Sequence, residues 1–211
     1  MPEFKISDAR NFLNALELVL PAVAPSKDGR PILSSVLVEW RNDTWQMVAT
    51  ESHVLVAAAE SDVNVIDEPT YSLLLNEPAR LVKWLKDELK PYGRAISGPE
   101  MTITDRQLFS GHNHLGGSMR CELHGSMITL ITWPGEFPNY RQLFSGHKPG
   151  CIETFGLSEV TLPILAKVQA KAGDASIKFS MGETNLKPLH FTLSTGDLNV
   201  LGLVVPVRFS V

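Results

Sequence analysis

Apolar and polar residues follow two repeating patterns along this chain. The pattern with the longer repeat occurs in three stretches. In each stretch, apolar residues recur every three or four positions, which is typical of a helix with one buried face. A capping residue precedes each stretch, and proline or glycine follows it. The predicted helices therefore cover residues 7–20, 76–90 and 158–172, and their predicted N-caps are Ser7 or Asp8, Asn76 and Ser158.

Between these helices, apolar and polar residues alternate singly, as in HFTLS and MITLIT. Such alternation is typical of antiparallel strands that bury one side. About three strands follow each helix, so the pattern predicts an α+β fold built from three βαβββ units. We expect a complete domain of two units over residues 1–142 and a half domain of one unit over residues 143–211. The predicted strands cover residues 31–40, 44–59, 71–75, 101–104, 118–123, 127–132, 176–181, 189–194 and 199–207.

Composition narrows the class of protein only slightly. The 211 residues carry a net charge of −4, so nucleic-acid binding would require a local basic patch. No apolar run approaches the roughly 18 residues that a membrane helix needs, and the N-terminal segment lacks the apolar core of a signal peptide. Both cysteines, Cys121 and Cys151, are expected to stay free thiols in a reducing compartment. We therefore expect a cytoplasmic protein.

Four sequence motifs resemble those of one protein family, and they occur in the family's order. MVATESHVLVAA at 47–58 resembles the pattern VATDGHRLA in the middle domain of the bacterial sliding clamp, the β subunit of DNA polymerase III. GEFPNYRQL at 135–143 is similar to the clamp's domain-junction pattern GRFPDYRRV. LVVPVRF at 203–209 resembles its C-terminal VVMPMRL, and PILSSVLVEW at 31–40 resembles the strand that opens the same middle domain.

The resemblance covers the family's middle domain and the second half of its last domain. It implies a processivity factor without enzymatic activity or cofactor, which encircles or tracks double-stranded DNA of any sequence. The other implied partners are a DNA polymerase, further proteins with clamp-binding motifs and a clamp loader. The family's closed ring contains twelve helices, so four chains with three helices each would complete it. We expect such a ring or a dimer, and so compact a chain is typical of a phage or bacterial source.

The family binds short linear peptides in a shallow apolar pocket, and the resemblance carries this pocket over residue by residue. Aliphatic side chains and prolines dominate the set, with one hydroxyl and one imidazole to orient a peptide. Each aliphatic residue, taken singly, is equally typical of a strand core. The corresponding residues are Leu33, Thr50, His53, Leu55, Pro138, Leu143, Leu203, Val205, Pro206 and Val207.

Five positions in these motifs depart from the family pattern. A stiffer pocket with a less polar rim is therefore expected, because flexible methionines and charged arginines are replaced by valine and glutamine. Ser52 stands where the family has glycine, Val54 and Gln142 stand where it has arginine, and Val205 and Val207 stand where it has methionine.

Sequence-independent DNA contact in a clamp comes from basic residues on helices, which touch phosphates rather than bases. The second and third predicted helices carry such residues at spacings that place several on one face. A solvated helix face is the other interpretation, because Glu77, Asp87 and Glu88 are interspersed among them, and the first helix offers only Arg10. The candidate DNA-binding residues are Arg80, Lys83, Lys86, Lys90, Arg94, Lys167 and Lys171.

Two other functions are compatible with the sequence. A non-encircling adaptor or decoy would keep the peptide pocket without surrounding DNA. A small zinc-binding protein is the second alternative, although the sequence lacks the CxxC pairs of common structural zinc sites. No nucleophile elbow, P-loop, dinucleotide-binding glycine pattern or HExxH motif occurs, so we expect neither catalysis nor a bound metal. The zinc interpretation centres on His112, His114, Cys121 and His124.

The heptapeptide RQLFSGH occurs twice, at residues 106–112 and 141–147. The second copy continues the junction motif and supplies Leu143, so we expect it to lead into the half domain. The first copy follows the predicted strand 101–104 and is expected to enter a glycine- and histidine-rich loop over 112–124. Because the identity does not extend into the flanking residues, the heptapeptide does not mark a structural repeat.

Overall fold

The computed structural model describes most of the chain, with short gaps. The side chains of residues 107–110 and 113–115 lie outside this description, although their backbone is included. No helix in the described part of the chain is long and apolar enough to cross a membrane. The described residues are 1–25, 29–60, 67–93, 97–110, 113–145, 147–148, 150, 155–182 and 187–207.

The elements repeat the order strand, helix and three strands, which confirms the predicted α+β class. The first set consists of β1 (Glu3–Ile6), α1 (Ala9–Val19), β2 (Val36–Arg41), β3 (Thr44–Thr50) and β4 (Val54–Glu60). The second consists of β5 (Tyr71–Leu75), α2 (Pro78–Leu89), β6 (Met101–Ser110), β7 (Asn113–Leu123) and β8 (Ser126–Trp133). The remaining elements are α3 (Arg141–Ser145), α4 (Thr161–Ala172), β9 (Lys178–Ser180), β10 (Leu189–Thr195) and β11 (Leu198–Val204).

The described strands form one antiparallel sheet in the order β1-β6-β7-β8-β5-β2-β3-β4-β11-β10-β9. The first strand of each of the first two sets pairs within the other set, since β1 pairs with β6 and β5 pairs with β2. Phe4 of β1 stacks on Trp40 of β2 at a centroid distance of 4.3 Å, and Tyr71 of β5 lies opposite Trp40. This exchange ties the two sets together. β4 pairs with β11 and extends the sheet into the last strands.

The main core lies between one face of the sheet and the helices α1, α2 and α4, with α1 in the middle. Alternate strand residues meet the helices, because successive side chains of a strand point to opposite faces. Phe12 of α1, for example, meets Trp45 of β3 edge to face at a centroid distance of 5.0 Å. Phe12 and Trp45 are at most 1% exposed. The amphipathic pattern of the sequence therefore predicts which residues form this core.

A smaller apolar cluster covers part of the opposite face, under the junction segment, which comprises the described residues 134–145 and 147. Two aromatic residues of this segment, Tyr140 and Phe144, are 1% and 8% exposed. The segment therefore packs on the sheet instead of crossing it as a free linker. The buried strand residues beneath it include Leu37, Val48, Leu55, Leu74 and Leu203.

Asp8 is the N-cap of α1, as one of the two predicted alternatives requires. Its Oδ1 accepts hydrogen bonds from the backbone N–H groups of Arg10 and Asn11 at 2.8 and 3.0 Å. The same oxygen accepts a bond from the Gly98 N–H at 2.9 Å. The cap thus satisfies the helix terminus and also fastens the segment that precedes β6.

The N-termini of the other two long helices differ from prediction. The Asn76 cap is wrong, because Glu77 occupies the cap position of α2 and its side chain makes no capping bond. Pro78, the first helical residue, has no N–H to satisfy. Ser158 Oγ accepts a bond from the Thr161 N–H at 3.2 Å, but α4 begins only at Thr161, so the predicted start was three residues early.

Two predicted strands are interrupted by turns. The run 44–59 is a hairpin of β3 and β4, and it reverses at residues 51–53. The run 31–40 becomes a strand only at Val36, because Ser35 Oγ donates to the Pro31 carbonyl at 2.9 Å and closes a turn. In the run 31–40 the apolar residues Ile32 and Leu33 lie within the turn, so the hydrophobic period alone does not show it. In the run 44–59 the turn coincides with three polar residues, Glu51, Ser52 and His53.

The hairpin of β6 and β7 is longer than predicted. β6 continues to Ser110 and β7 starts at Asn113, with an irregular register between Gln107 and Phe109. The strand predicted over 118–123 is confirmed as the end of β7, but the loop expected over 112–124 is wrong for residues 113–117. Glycine and histidine in this stretch were interpreted as loop residues, but long-range pairing with β6 and β8 holds them in a strand.

Candidate functional site

The candidate peptide pocket centres on the pairing of β4 with β11. Leu55 of β4 lies opposite Leu203 of β11 and, on its other side, opposite Thr50 of β3. The Val205 N–H donates to the His53 carbonyl at 2.8 Å, so the chain after β11 follows the turn between β3 and β4. Backbone contacts thus bring together five of the ten residues that the resemblance assigns to the pocket.

This surface has a buried floor and an exposed rim. Leu55 and Leu203 are 6% and 3% exposed, whereas Leu143, Val205 and Val207 are 51%, 42% and 40% exposed. Half-exposed aliphatic side chains beside buried leucines provide a shallow surface that an apolar anchor can desolvate. Burial of one Leu or Phe side chain of a peptide on such a surface would contribute about 1.5–3 kcal/mol.

Three of the predicted pocket residues lie away from this centre or contribute through the backbone. Pro206 is buried next to Val207, whose N–H donates to the Gly156 carbonyl at 2.9 Å. Leu33 is half-buried in the turn before β2. Pro138 is exposed and lines a separate cavity of about 410 Å³ between β5 and the junction segment. The structure therefore places Pro138 beside a second concave surface.

The turn between β3 and β4 fixes the position of the His53 imidazole. Glu51 Oε1 accepts bonds from the His53 and Val54 N–H groups at 2.9 and 2.8 Å, and its Oε2 lies 3.2 Å from His53 Nδ1. Ser52 has a φ of 97°, in the region that favours glycine. Arg30 Nη1 donates to Ser52 Oγ at 2.5 Å. The turn thus has the conformation that the family's glycine at this position would adopt freely.

Three aromatic rings that the sequence analysis missed attach the end of the junction segment beside this surface. Phe144 meets His190 of β10 edge to face at 5.5 Å, and His147 stacks on His190 at 3.5 Å. His147 Nε2 also lies 2.9 Å from Ser180 Oγ. Burial, with a smaller contribution from the His147 charge, lowers the pKa of His190 to about 4. His190 lies opposite Leu203 in the sheet, so this cluster borders the floor of the candidate pocket.

A buried carboxylate anchors the middle of the junction segment. Glu39 of β2 is 3% exposed, and its Oε2 accepts bonds from Gln46 Nε2 at 2.5 Å, Tyr140 O–H at 2.6 Å and Arg141 Nη2 at 2.7 Å. Arg141 Nε also donates to the Asp67 carbonyl at 3.0 Å. Burial and then the Glu39 charge raise the pKa of Tyr140. The Tyr-Arg pair of the junction motif therefore serves to fix this segment on the sheet.

Six of the seven candidate DNA-binding residues are described, and these six lie on one side of the molecule. They belong to α2, to the turn that follows it and to α4, and these helices cover the same face of the sheet. All six are exposed, whereas Arg94 lies outside the described residues. The exposed six are Arg80, Lys83, Lys86, Lys90, Lys167 and Lys171.

Acidic neighbours neutralise half of these six cations. Arg80 pairs with Glu77 at 3.0 Å. Lys83, Lys90 and Lys167, in contrast, make no ion pair with any residue in the described ranges. Among the six exposed candidates, these three lysines are accordingly the ones without an ion pair in the described part of the chain.

Glu17 of α1 holds the two remaining lysines. Its Oε1 accepts a bond from Lys86 of α2 at 2.7 Å and from Lys171 of α4 at 2.6 Å. The Glu17 side chain is 17% exposed, and those of Lys86 and Lys171 are 50% and 45% exposed. Burial would raise the pKa of Glu17, but the bonds from Lys171 and Lys86 outweigh it and hold that pKa below its ordinary value. One charged carboxylate thus connects three helices.

The residues of the zinc interpretation do not converge where they are described. Cys121 of β7 is buried in the main core, and burial raises the pKa of its thiol to about 12. A cysteine that binds zinc must instead be a thiolate. His124 is exposed and stacks on Tyr92 at 5.4 Å, while His112 and the His114 side chain lie outside the described residues. In the described part of the chain, no three His, Cys, Asp or Glu residues are grouped as metal ligands.

No family model and no curated protein matches the sequence. Solved structures of bacterial sliding clamps match the fold. The DNA polymerase III β subunit of Thermotoga maritima matches with a TM-score of 0.67 and 14% identity over 99% of this chain and 66% of its own. The sliding clamp of Bacillus subtilis has a TM-score of 0.65 and 14% identity, over 99% of this chain and 65% of its own.

A third solved structure, the sliding clamp of Bartonella birtlesii bound to griselimycin, has a TM-score of 0.64 and 13% identity over 98% of this chain and 66% of its own. This chain therefore spans about two thirds of the length of these proteins. At such low identity the match concerns the fold alone. The resemblance predicted from four short motifs is confirmed at that level: this chain has the fold of the bacterial DNA polymerase III β sliding clamp.

Proposed function

We propose that this chain is a sliding-clamp-like processivity factor, a binding protein that encircles or tracks double-stranded DNA and tethers replication proteins to it. The observation that carries the proposal is the clamp fold over 99% of the chain. The fold separates two surfaces of different chemistry. Exposed lysines occupy the helical side, and the shallow apolar surface of Leu55 and Leu203 belongs to the opposite face of the sheet.

The proposal includes a division into a complete domain, residues 1–142, and a half domain, residues 143–211. It is supported by the exchange of first strands between the two sets of elements before residue 134. We further propose a homo-oligomer, for which a ring of four chains would supply twelve helices. Light scattering at high concentration tests this assembly. A strictly monomeric species would contradict the ring.

On the helical side, we propose that lysine side chains contact DNA phosphates without reading bases. Lys83, Lys90 and Lys167 are the best candidates because they are exposed and make no ion pair with a described residue. Phosphate contact releases counterions, so the affinity should fall linearly with salt on logarithmic axes. Association that does not respond to salt would contradict this mode of contact.

For the pocket, we propose that it receives a short peptide with an apolar anchor from a polymerase or another replication factor. Val205→Lys and Val207→Lys test this, because both side chains are about 40% exposed and their replacement spares the core. Leu55 is unsuitable for such a test, since it is only 6% exposed. Ile131→Lys, at a 56% exposed position of β8, is the matched control.

The expected result is at least a tenfold loss of affinity for a fluorescent peptide that carries a Leu or Phe anchor, since one buried anchor is worth about 1.5–3 kcal/mol. Fluorescence anisotropy measures this affinity. Ile131→Lys should bind as the wild type does. Equal affinity of all variants would contradict the assignment of the pocket.

A non-encircling adaptor or decoy is the second candidate function. The neutralisation of Arg80 by Glu77, and of Lys86 and Lys171 by Glu17, favours it, because these pairs reduce the positive charge available to DNA. Such an adaptor would bind the peptide normally but show no salt-dependent association with DNA. The two measurements together therefore separate the candidates.

A further inference from the structure

The bridge formed by Glu17 places two ammonium groups unusually close together. Lys86 Nζ and Lys171 Nζ both bond to the same oxygen, Glu17 Oε1, at 2.7 and 2.6 Å. The two nitrogens therefore lie within twice a hydrogen-bond length of each other. Like charges at this separation repel, so the arrangement requires an anion between them.

A DNA phosphate offers lysine the same chemistry as this carboxylate. Both present negatively charged oxygens that accept charge-assisted hydrogen bonds. The lysine side chains are 50% and 45% exposed, so solvent and a phosphate can reach them, while the carboxylate lies deeper at 17%. α1 is also the middle helix of the three, so its acidic residue lies at the centre of the helical side.

We propose that Glu17 is an internal competitor of DNA phosphate: it occupies Lys86 and Lys171 and so weakens contact at the centre of the helical side. The inference rests on the proposed function, since it concerns how strongly this same side holds DNA. Glu17 acts through the two lysines and is thus a positioning residue. Weak contact suits a protein that must move along a duplex, and Glu17 provides it without removing the lysines.

Glu17→Gln tests this proposal, and Asp87→Asn is the matched control. Each change removes one negative charge, but Asp87 is an exposed residue of α2 that makes no ion pair with a described residue. Affinity for a labelled linear duplex is measured by anisotropy over a range of salt. Glu17→Gln should bind about three- to fivefold more tightly than Asp87→Asn near 50 mM salt, with a slope steeper by about 0.9 per phosphate gained.

The variant Lys86→Met/Lys171→Met, made with and without Glu17→Gln, identifies the cause of the gain. With Glu17 present, loss of the lysines should change the affinity less than twofold, because they are already occupied. In the Glu17→Gln background, the same loss should abolish the whole gain. Removing both lysines also removes their mutual repulsion, so this variant is informative even where Glu17→Gln alone unfolds.

The outcomes separate this inference from the function on which it rests. If the wild type binds DNA and Glu17→Gln behaves as Asp87→Asn does, the inference is overturned and the clamp proposal stands. An equal loss on removing the lysines in both backgrounds also overturns it. If neither the wild type nor Glu17→Gln associates with DNA at low salt, the proposed DNA contact fails, and the inference fails with it. Binding by Glu17→Gln alone supports the inference.

Discussion

The five residues Arg-Gln-Leu-Phe-Ser occur at 106–110 as part of a strand, β6, and at 141–145 as a helix, α3. In β6, Gln107 lies opposite Gly117 of β7. In α3, the Leu143 N–H bonds to the Tyr140 carbonyl at 3.0 Å within one turn. The intrinsic propensities of the two copies are identical, so only their surroundings can account for the difference.

The first residue of each copy shows what those surroundings are. Arg106 is exposed on β6. The Arg141 side chain is 14% exposed and bonds to the buried carboxylate of Glu39. The strand copy continues a strand that is already paired with β1, whereas the helical copy is held by side chains 102 residues away in the sequence. One short sequence thus adopts two conformations. The first copy extends a strand that is already paired, and the second copy is held by a single buried charge.

The largest expected effect is a difference in stability between substitutions of Arg141 and of Arg106. Arg141→Ala should lower the free energy of unfolding by about 3 kcal/mol, because it leaves Glu39 buried with neutral donors only. Arg106→Ala, the same change at the same position of the strand copy, should alter it by about 0.5 kcal/mol or less. Urea unfolding measures both. Equal effects would show that the Glu39 bond does not distinguish the copies.

A smaller effect is expected from the strand that holds the first copy. Gly116 of β7 has a φ of +91°, and a Cβ there would lie 2.8 Å from the Thr132 carbonyl oxygen. Gly116→Ala should therefore lower the free energy of unfolding by about 2–3 kcal/mol. Gly125→Ala is the control, since its φ is +83° with no atom within 4 Å, and about 1 kcal/mol is expected. Thermal unfolding that ranks them equally would contradict the close contact.

The smallest effect concerns the histidine pair at the end of the helical copy. The pKa of His190 falls from 6.5 to about 4 on folding, mainly through burial. The unfolded chain then binds more protons between these values, so the free energy of unfolding is highest above about pH 6.5 and falls as the pH drops toward 4. A loss of about 1–2 kcal/mol is expected.

His190→Gln should flatten this pH dependence, because glutamine does not titrate. Urea unfolding at several pH values between 4 and 7 provides the measurement, and His53→Gln, at a 59% exposed side chain, is the control. If wild type and His190→Gln lose stability in parallel over this range, the His147–His190 stack contributes nothing to the pH response of the junction segment.

The candidate site could be predicted from the sequence in part. The motif around residues 47–58 located Thr50, His53 and Leu55, because a hairpin brings neighbours in sequence together. The terminal motif located Leu203 and Val205, which pair with the same hairpin. Phe144, His147 and His190 were missed, since nothing local indicates that a residue of β10 will meet the junction segment.

The sequence by itself determined the α+β class, the three long helices, the order of the strands along the chain and the resemblance to the clamp fold. These features depend on the local period of apolar residues, which selects the face that each element buries. Two wrong predictions, the Asn76 cap and the loop over 113–117, concern places where the local sequence permits more than one conformation. There, long-range packing made the choice.

Only the tertiary structure decided which lysine side chains of the helices form ion pairs. Lys86 and Lys171 are alike in the sequence to Lys83 and Lys167, yet one carboxylate of α1 holds the first pair, whereas the second pair makes no ion pair with a described residue. Glu17 and Lys171 lie 154 residues apart in the sequence, and no local pattern of residues indicates that they will meet. The same reason applies to Arg-Gln-Leu-Phe-Ser: its conformation depends on partners that come within reach only when the sheet has formed.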